Sequence, residues 1–509
     1  MSLKSKLLVM KRTVLLCLLF ILHQVLLFSQ GNIRLTMDDA LQLAQTQSLQ
    51  TFLNKHYYMA DYWAYRSFRA NYLPSLNLQT TPLAYTNASQ LRYNSEKQTD
   101  EFVRTESLRS DLALNVSQKI AATGGTFFVE SDLSRIENYG YNPYTQYSSR
   151  PIRVGYEQEL FGFNSMKWQR KIEPLKFAKA KQDYLQSTER MHLSTINYFF
   201  GFLRAYNQME IAQTNVDNTD NLLGVAKHRF ELGTITREEL LDLRLSHNNA
   251  LITLQEALLD YREAKESLLS FLMLPTDIEL EAVMPNRMPV AEVDISIVLE
   301  KALDNNPEIL QLEQNLLESQ RNVDQSNKGR HFRSNVNLSY GLSKDDGSFL
   351  ENGKFKNVYS PEFETYQQVR VGINIPILDW GRSKGQYELA KSQYGITQVA
   401  SQQSMQQFRQ NAITRAIAFN IQKSRVESAA LSDTLANESY ELTMIRFKKG
   451  QADVLRLTSS QRAKDNARLQ YINALAQYWN QYFTLRQLTL HDFENNKDIE
   501  FDEDEILGF

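Results

Sequence analysis

The sequence predicts a mostly α-helical chain with a smaller β component, built as an internal duplication. The first observation is a stretch that occurs twice. Residues 153–233 begin Arg153-Val154-Gly155 and end Arg229-Phe230-Glu231-Leu232-Gly233, and residues 370–450 begin Arg370-Val371-Gly372 and end Arg446-Phe447-Lys448-Lys449-Gly450, a shift of 217 positions at both ends. Each copy reads as a short strand, a helical run of about 65 residues and a glycine turn. The second observation is proline placement: of 11 prolines, none falls between Leu175 and Leu274 or after Pro376. Proline costs about 3 kcal/mol inside a helix, so these are the two regions where very long helices are permitted. The third is apolar spacing. Phe408, Ala412, Ala416 and Phe419 recur at three- and four-residue steps beside a parallel row of Ile413, Ile417 and Ile421. Leu469, Ile472, Ala476, Trp479 and Phe483 do the same, as do Leu254, Ala257, Tyr261, Ala264, Leu268 and Phe271. Such narrow, alanine-rich stripes suit coiled-coil packing against neighbours, with the remaining face in water. A helix of that length reaches on the order of 100 Å at about 1.5 Å per residue.

In chain order, Lys4, Lys6, Lys11 and Arg12 precede an apolar run from Val14 to Leu27 that closes on Ser29-Gln30, the pattern of a secretory signal peptide over residues 1–29. Cys17, the only cysteine, lies inside this leader behind Leu16, so neither a disulfide nor a lipid anchor is expected in the exported chain. The first half then occupies residues 30–290. Leu35-Thr36-Met37-Asp38-Asp39-Ala40-Leu41 starts a helix, with Thr36 as cap and Asp39 three positions on. Pro74 stops that helix, and Leu76, Leu78 and Thr80 alternate up to Pro82. The second half, 291–490, opens the same way: Ser296 is the expected cap, Asn305-Asn306-Pro307 follows, and Val336, Leu338 and Tyr340 alternate.

Between the strands of each half lies a polar, tyrosine-rich excursion, Asn87–Arg150 in the first and the shorter Ser343–Tyr366 in the second. Within the longer one, Leu112, Leu114 and Val116 alternate before the turn Thr123-Gly124-Gly125, which reads as an extra hairpin or as a surface loop with some strand content. Tyr139, Tyr141, Tyr144 and Tyr147 suit either an interfacial aromatic group or an exposed loop. The return strands are expected over Ile152–Phe161 and Val369–Leu378. In the second, Val371, Ile373, Ile375 and Ile377 share one face, as in a membrane barrel strand or an ordinary edge strand. The acidic tail, 491–509, is expected to be solvated and mobile.

Several classes are excluded. A net charge of −3 with 23% charged residues argues against nucleic-acid binding. The histidines lack HExxH spacing, no GxSxG or phosphate loop occurs, and no cysteine follows the leader, so no catalytic, cofactor or metal site is expected.

Four short motifs, in the family's order on a duplicated chain with a leader, resemble the TolC family of outer-membrane efflux and type I secretion channels. They are Leu35-Thr36-x-x-Asp39-Ala40-Leu41, Tyr72-Leu73-Pro74-Ser75-Leu76, Pro376-Ile377-Leu378-Asp379-Trp380-Gly381, and the paired turns Arg229-Phe230-x-x-Gly233 and Arg446-Phe447-x-x-Gly450. The resemblance implies a homotrimer in outer-membrane lipid. Each protomer would give four strands to a 12-stranded transmembrane β-barrel, continued by a periplasmic α-helical coiled-coil barrel. It also implies a periplasmic adaptor (membrane fusion protein) and an inner-membrane pump of RND, ABC or MFS type as partners. The adaptor would meet the helix turns at Arg229, Gly233, Thr236, Arg446, Gly450 and Asp453. Glu239 and Asp242 would stand at the pore entrance as an acidic ring, although a solvated acidic helix face accounts for the same two residues. A periplasmic adaptor or an exported structural coiled coil is the competing reading. An adaptor has one hairpin followed by a β-rich domain, whereas here two hairpins alternate with strands.

Overall fold

A computed structural model describes residues 33–94, 97–139, 143–285, 287–349, 355–356 and 362–507. The expected signal peptide, Cys17 and Tyr141 lie outside the described residues. The first half runs β1 (Ile33–Leu35), α1 (Met37–Gln47), α2 (Leu49–Ala70), β2 (Ser75–Asn94), β3 (Thr99–Ile120), β4 (Gly125–Asn138), β5 (Tyr144–Leu160), α3 (Ser165–Glu231), α4 (Arg237–Phe271) and β6 (Leu280–Ala282). The second runs α5 (Ile295–Asn305), α6 (Pro307–Gly329), β7 (Arg333–Asp346), β8 (Ser348–Phe349), β9 (Phe355–Lys356), β10 (Glu364–Asn374), α7 (Arg382–Asn420), α8 (Gln422–Lys448) and α9 (Val454–Thr489). β11 (His491–Asp492), β12 (Lys497–Asp498) and α10 (Glu503–Leu507) complete the chain.

The duplication is visible in these boundaries. α3 and the α7–α8 pair each span 67 residues, and the second begins and ends 217 positions after the first. Upstream, α1, α2 and the start of β2 recur in α5, α6 and the start of β7 with a larger shift of 258 positions. The difference of 41 residues matches, to within one residue, the Thr99–Asn138 span of a β3–β4 hairpin that, among the described residues, the first half alone carries.

The chain divides into two compact units. One comprises residues 60–180 and 308–405 and contains an antiparallel six-stranded sheet in the order β10-β7-β5-β4-β3-β2. The expected count of four strands is thereby corrected to six. Leu112 lies opposite Leu133, and Val116 opposite Val129, so the hairpin turning at Gly124 (φ 78°) is part of the sheet. Proline sits at all three register shifts of the sheet, Pro82 at one and Pro151 at the other two. β2 continues through Pro82, where the sequence suggested it would end, by skipping from Thr81 to Ala84, and β5 skips from Ser149 to Ile152 around Pro151. Proline has no N–H for the ladder, and a bulge accommodates that loss. Among the described residues, the part of β3 before Glu106 pairs with β2 alone, so the outer ends of these two strands run on as a ribbon. Pro376 lies past the end of β10, and Pro174 sits ten residues into α3, which continues through it.

The other unit comprises residues up to 59, 181–307 and 406–509, and holds the helical hairpins and the main core. Tyr198 stacks on Phe271 at 4.7 Å and Tyr206 meets Tyr261 at 6.1 Å, which sets α3 and α4 antiparallel. Asp433 and Arg468, 3.2 Å apart, do the same for α8 and α9. The hairpins join through α3 and α9, where Asn197 meets Asn480 at 2.9 Å and Glu189 meets Arg486 at 3.0 Å. Phe408, Ala412, Ala416 and Phe419 are buried, whereas Ile413, Ile417 and Ile421 stay 37%, 50% and 45% exposed. Thr36 caps α1 in the expected box: its hydroxyl accepts from the Asp39 N–H and its own N–H donates to the Asp39 carboxylate. The cap of α5 is Asp294, whose carboxylate accepts from the Ser296 N–H, in place of Ser296 itself.

The tail is docked, contrary to expectation. Phe501 packs on Tyr58 at 5.1 Å and on Tyr184 at 4.7 Å, and Ile506 is buried. Asp498 pairs with Lys301 at 2.9 Å and with His491 at 2.7 Å, Glu503 pairs with Lys181, and Glu494 pairs with Arg287. Acidic composition suggested self-repulsion, but each of these carboxylates meets a cation on the helical unit, and the aromatic and aliphatic residues between them anchor the strap.

Candidate functional site

Two features carry chemistry beyond folding, one in each unit. The first is the pair of turns at the ends of the helical hairpins. Gly233 and Gly450 have φ of 72° and 76°, the left-handed region that costs other residues roughly 1–2 kcal/mol. The Thr234 N–H donates to the Arg229 carbonyl at 2.9 Å, and the Gln451 N–H to the Arg446 carbonyl at 2.8 Å, so both turns close as Schellman caps. Three residues on, Thr236 and Asp453 cap the returning helices. Thr236 shares a capping box with Glu239, and Asp453 accepts from the Arg456 N–H at 2.7 Å.

The turns lie side by side. A Cβ at Gly450 would stand 3.1 Å from the Arg229 guanidinium, and Leu222, Ala226, Leu240, Tyr440, Phe447 and Leu457 form one apolar cluster beneath them. Arg229, Gly450, Thr236 and Asp453 are therefore placed together by two copies of one local design. Either glycine changed to Ala should lower stability by about 1–2 kcal/mol through backbone strain. Gly450→Ala should cost more than Gly233→Ala, because nothing lies within 4 Å of a Cβ at Gly233. Thermal unfolding of the two variants in detergent checks the order.

Glu239, Asp242 and Asp453 line one cleft of about 660 Å³, together with Arg462 and Asp465. The Glu239 carboxylate is already engaged with the Thr236 N–H at 2.8 Å. Asp465 is the residue that sequence reasoning missed. Burial pushes its carboxyl above the usual range, partly offset by a 2.8 Å hydrogen bond from Asn215 and by Lys464 at 3.7 Å. A raised folded pKa makes the ionised form a penalty above that pKa, relieved as pH falls below the unfolded value. Asp465→Asn should therefore raise the melting temperature at pH 7, with the gain shrinking as pH approaches about 4, the ordinary aspartate range.

The second feature is the division of the sheet into two unlike faces. Directly opposed residues share a face, and the cross-strand rows place Leu78, Leu114, Val129, Val154, Tyr340 and Val371 on the same one. Leu76, Leu112, Phe127, Leu338, Val369 and Ile373 join them and are exposed. On β7 the apolar positions Val336, Leu338, Tyr340 and Leu342 cover on the order of 20 Å of strand. Tyr147 lies on this face outside that run, opposite Arg135. The other face is polar: Arg109 pairs with Asp111 at 2.9 Å, Arg150 with Asp132 at 2.6 Å, and Arg153 with Glu130. An apolar band on one face and ion pairs on the other is the pattern of a barrel wall between lipid and water. Among the described residues, no helix is long and apolar enough to cross a membrane, and no acidic, histidine or cysteine group suits a metal ion.

Comparison with known proteins agrees with this geometry. The sequence matches the outer membrane efflux protein family over residues 124–272 and 298–489. No curated protein matches it. Similar solved folds include the CmeC outer membrane channel of Campylobacter jejuni, with a TM-score of 0.65 at 12% identity, covering 93% of this chain and 88% of that one. A membrane protein from Pseudomonas aeruginosa gives a TM-score of 0.62 at 14% identity, with 89% and 90% covered. The MtrE outer membrane channel of Neisseria gonorrhoeae, in its open state, gives 0.57 at 14% identity, with 91% of both chains covered. With the family match extending over more than half of its residues, through both halves of the duplication, the chain belongs to the outer membrane efflux protein family and is an outer-membrane channel protein rather than an enzyme.

Proposed function

We propose that three copies assemble into the exit duct of a tripartite efflux or type I secretion system. In this reading an inner-membrane pump of RND, ABC or MFS type supplies energy and cargo through a periplasmic adaptor. The adaptor meets the turns around Arg229, Gly233, Thr236, Arg446, Gly450 and Asp453. The observation that carries the reading is the two-faced sheet whose outer edges at β2 and β10 are unpaired among the described residues, since open edges are not tolerated in lipid and copies of the chain can cover them. The exposed row of Ile413, Ile417 and Ile421 supports it as a second surface for a neighbouring copy to cover. The channel narrows at the turns, where the cleft carrying Glu239, Asp242 and Asp453 favours cations. Halves 30–290 and 291–490 supply equivalent hairpins, and residues 491–507 strap them. The test is fractionation with an unboiled gel. The protein should sediment with the outer membrane and run as a trimer without boiling and as a single chain after it; a monomer released without detergent would remove the reading.

A further inference from the structure

We infer that the assembled wall has 18 strands, closed between copies by β2 of one protomer against β10 of the next, and that its lumen admits bulky hydrophilic cargo. The inference rests on the trimeric duct proposed above and deepens it. Successive strands in the sheet alternate in direction, because every neighbouring pair is antiparallel. With six strands in the order β10-β7-β5-β4-β3-β2, the two free edges run in opposite directions, so edge-to-edge pairing between copies is also antiparallel and the ladder closes without a break. Both edge strands continue the same two faces: Leu76 and Leu78 on β2 and Val369, Val371 and Ile373 on β10 are apolar, with Asn77, Gln79, Gln368 and Arg370 alternating between them. One copy does not close alone. A barrel of about eight strands is just filled by its own side chains, and among the described residues the outer edges of β2 and β10 remain unpaired.

The inserted β3–β4 hairpin is what sets the width. Barrel diameter grows roughly linearly with strand number, so 18 strands give about one and a half times the width of 12, in the range where barrels enclose an aqueous channel. The polar face carries both signs of charge: Arg109, Arg150 and Arg153 are each paired with an acid, and Arg370 and Glu157 share the cross-strand row of Asn337.

The test is electron cryomicroscopy of the protein in lipid nanodiscs, combined with bismaleimide cross-linking of double-cysteine variants. Pairing Asn77→Cys or Gln79→Cys with Gln368→Cys or Arg370→Cys introduces the only thiols after the leader. The expected result is a trimer with 18 strands and a covalent trimer band from at least one pair. In the planar-bilayer channel, polyethylene glycols large enough to be excluded from a 12-stranded lumen should enter from the sheet side. A trimer with 12 strands, residues 99–138 lying outside the wall, would overturn the inference and leave the channel reading intact. A particle that is not a trimer would instead remove the reading on which the inference rests.

Discussion

Arg486→Ala should destabilise the helical unit by about 3–5 kcal/mol, the cost of leaving a buried charge without its partner. Arg486 donates two hydrogen bonds of 3.0 Å to Glu189, a residue 1% exposed, lies 3.4 Å from Asp492, and stacks over Tyr482 and Phe483. Burial alone would push the Glu189 carboxyl up, but the hydrogen bond with His192 and the Arg486 charge hold it below the usual glutamate range. A depressed folded pKa gives stability that is complete above the unfolded value, near 4.3, and is lost as pH falls through the folded one. Without Arg486 the burial effect dominates and the carboxyl rises. The deficit of the variant should then be largest near pH 7 and shrink on acidification. A Glu189→Leu, Arg486→Met double variant should recover most of the loss, because a buried pair replaced by apolar groups costs little. Urea titration of the detergent-solubilised protein at two pH values reads all three results.

Leu114→Arg should cost about 2–4 kcal/mol in folding into lipid, the penalty for arginine near the centre of a barrel's outer face. The neighbouring Ala113→Arg should cost far less, because position 113 lies on the polar face, opposite Gln79 and Asp132. The contrast is the informative part. Two adjacent residues of one strand differ only in which face they occupy, so a loss common to both would indicate a general effect on β3. Refolding into vesicles of defined chain length, scored by urea titration, separates the two outcomes.

Much of this architecture was legible in the sequence because it is local or repeated. The 217-residue shift, the glycine turns and the Thr36 box depend on a few neighbouring residues and reappear at the expected positions. What was missed depends on partners far along the chain. Pro82 reads as a strand end until the bulge opposite Ser110 is seen, and there the Ser110 hydroxyl donates to the Pro82 carbonyl at 2.8 Å. Asp294 and Ser296 are both good caps, and two positions of helix register decide between them. The acidic tail looked soluble because Lys181, Arg287 and Lys301, which neutralise it, lie at least 190 positions away. The turn residues were found at the turns, but Glu239 was visible only as an acid, and its tie to the Thr236 N–H requires the folded cap. Asp465 was invisible for the same reason, since its burial comes from α3 on the other half of the duplication.

We propose a channel that narrows at its hairpin turns, and single-channel recording in planar bilayers tests that reading most directly. Detergent-purified protein should give small, discrete, cation-selective steps, and Gly450→Pro, which breaks the turn's left-handed cap, should change their size or open time. Protein that stays monodisperse without detergent and never inserts would contradict the account, leaving a coiled-coil protein with no channel.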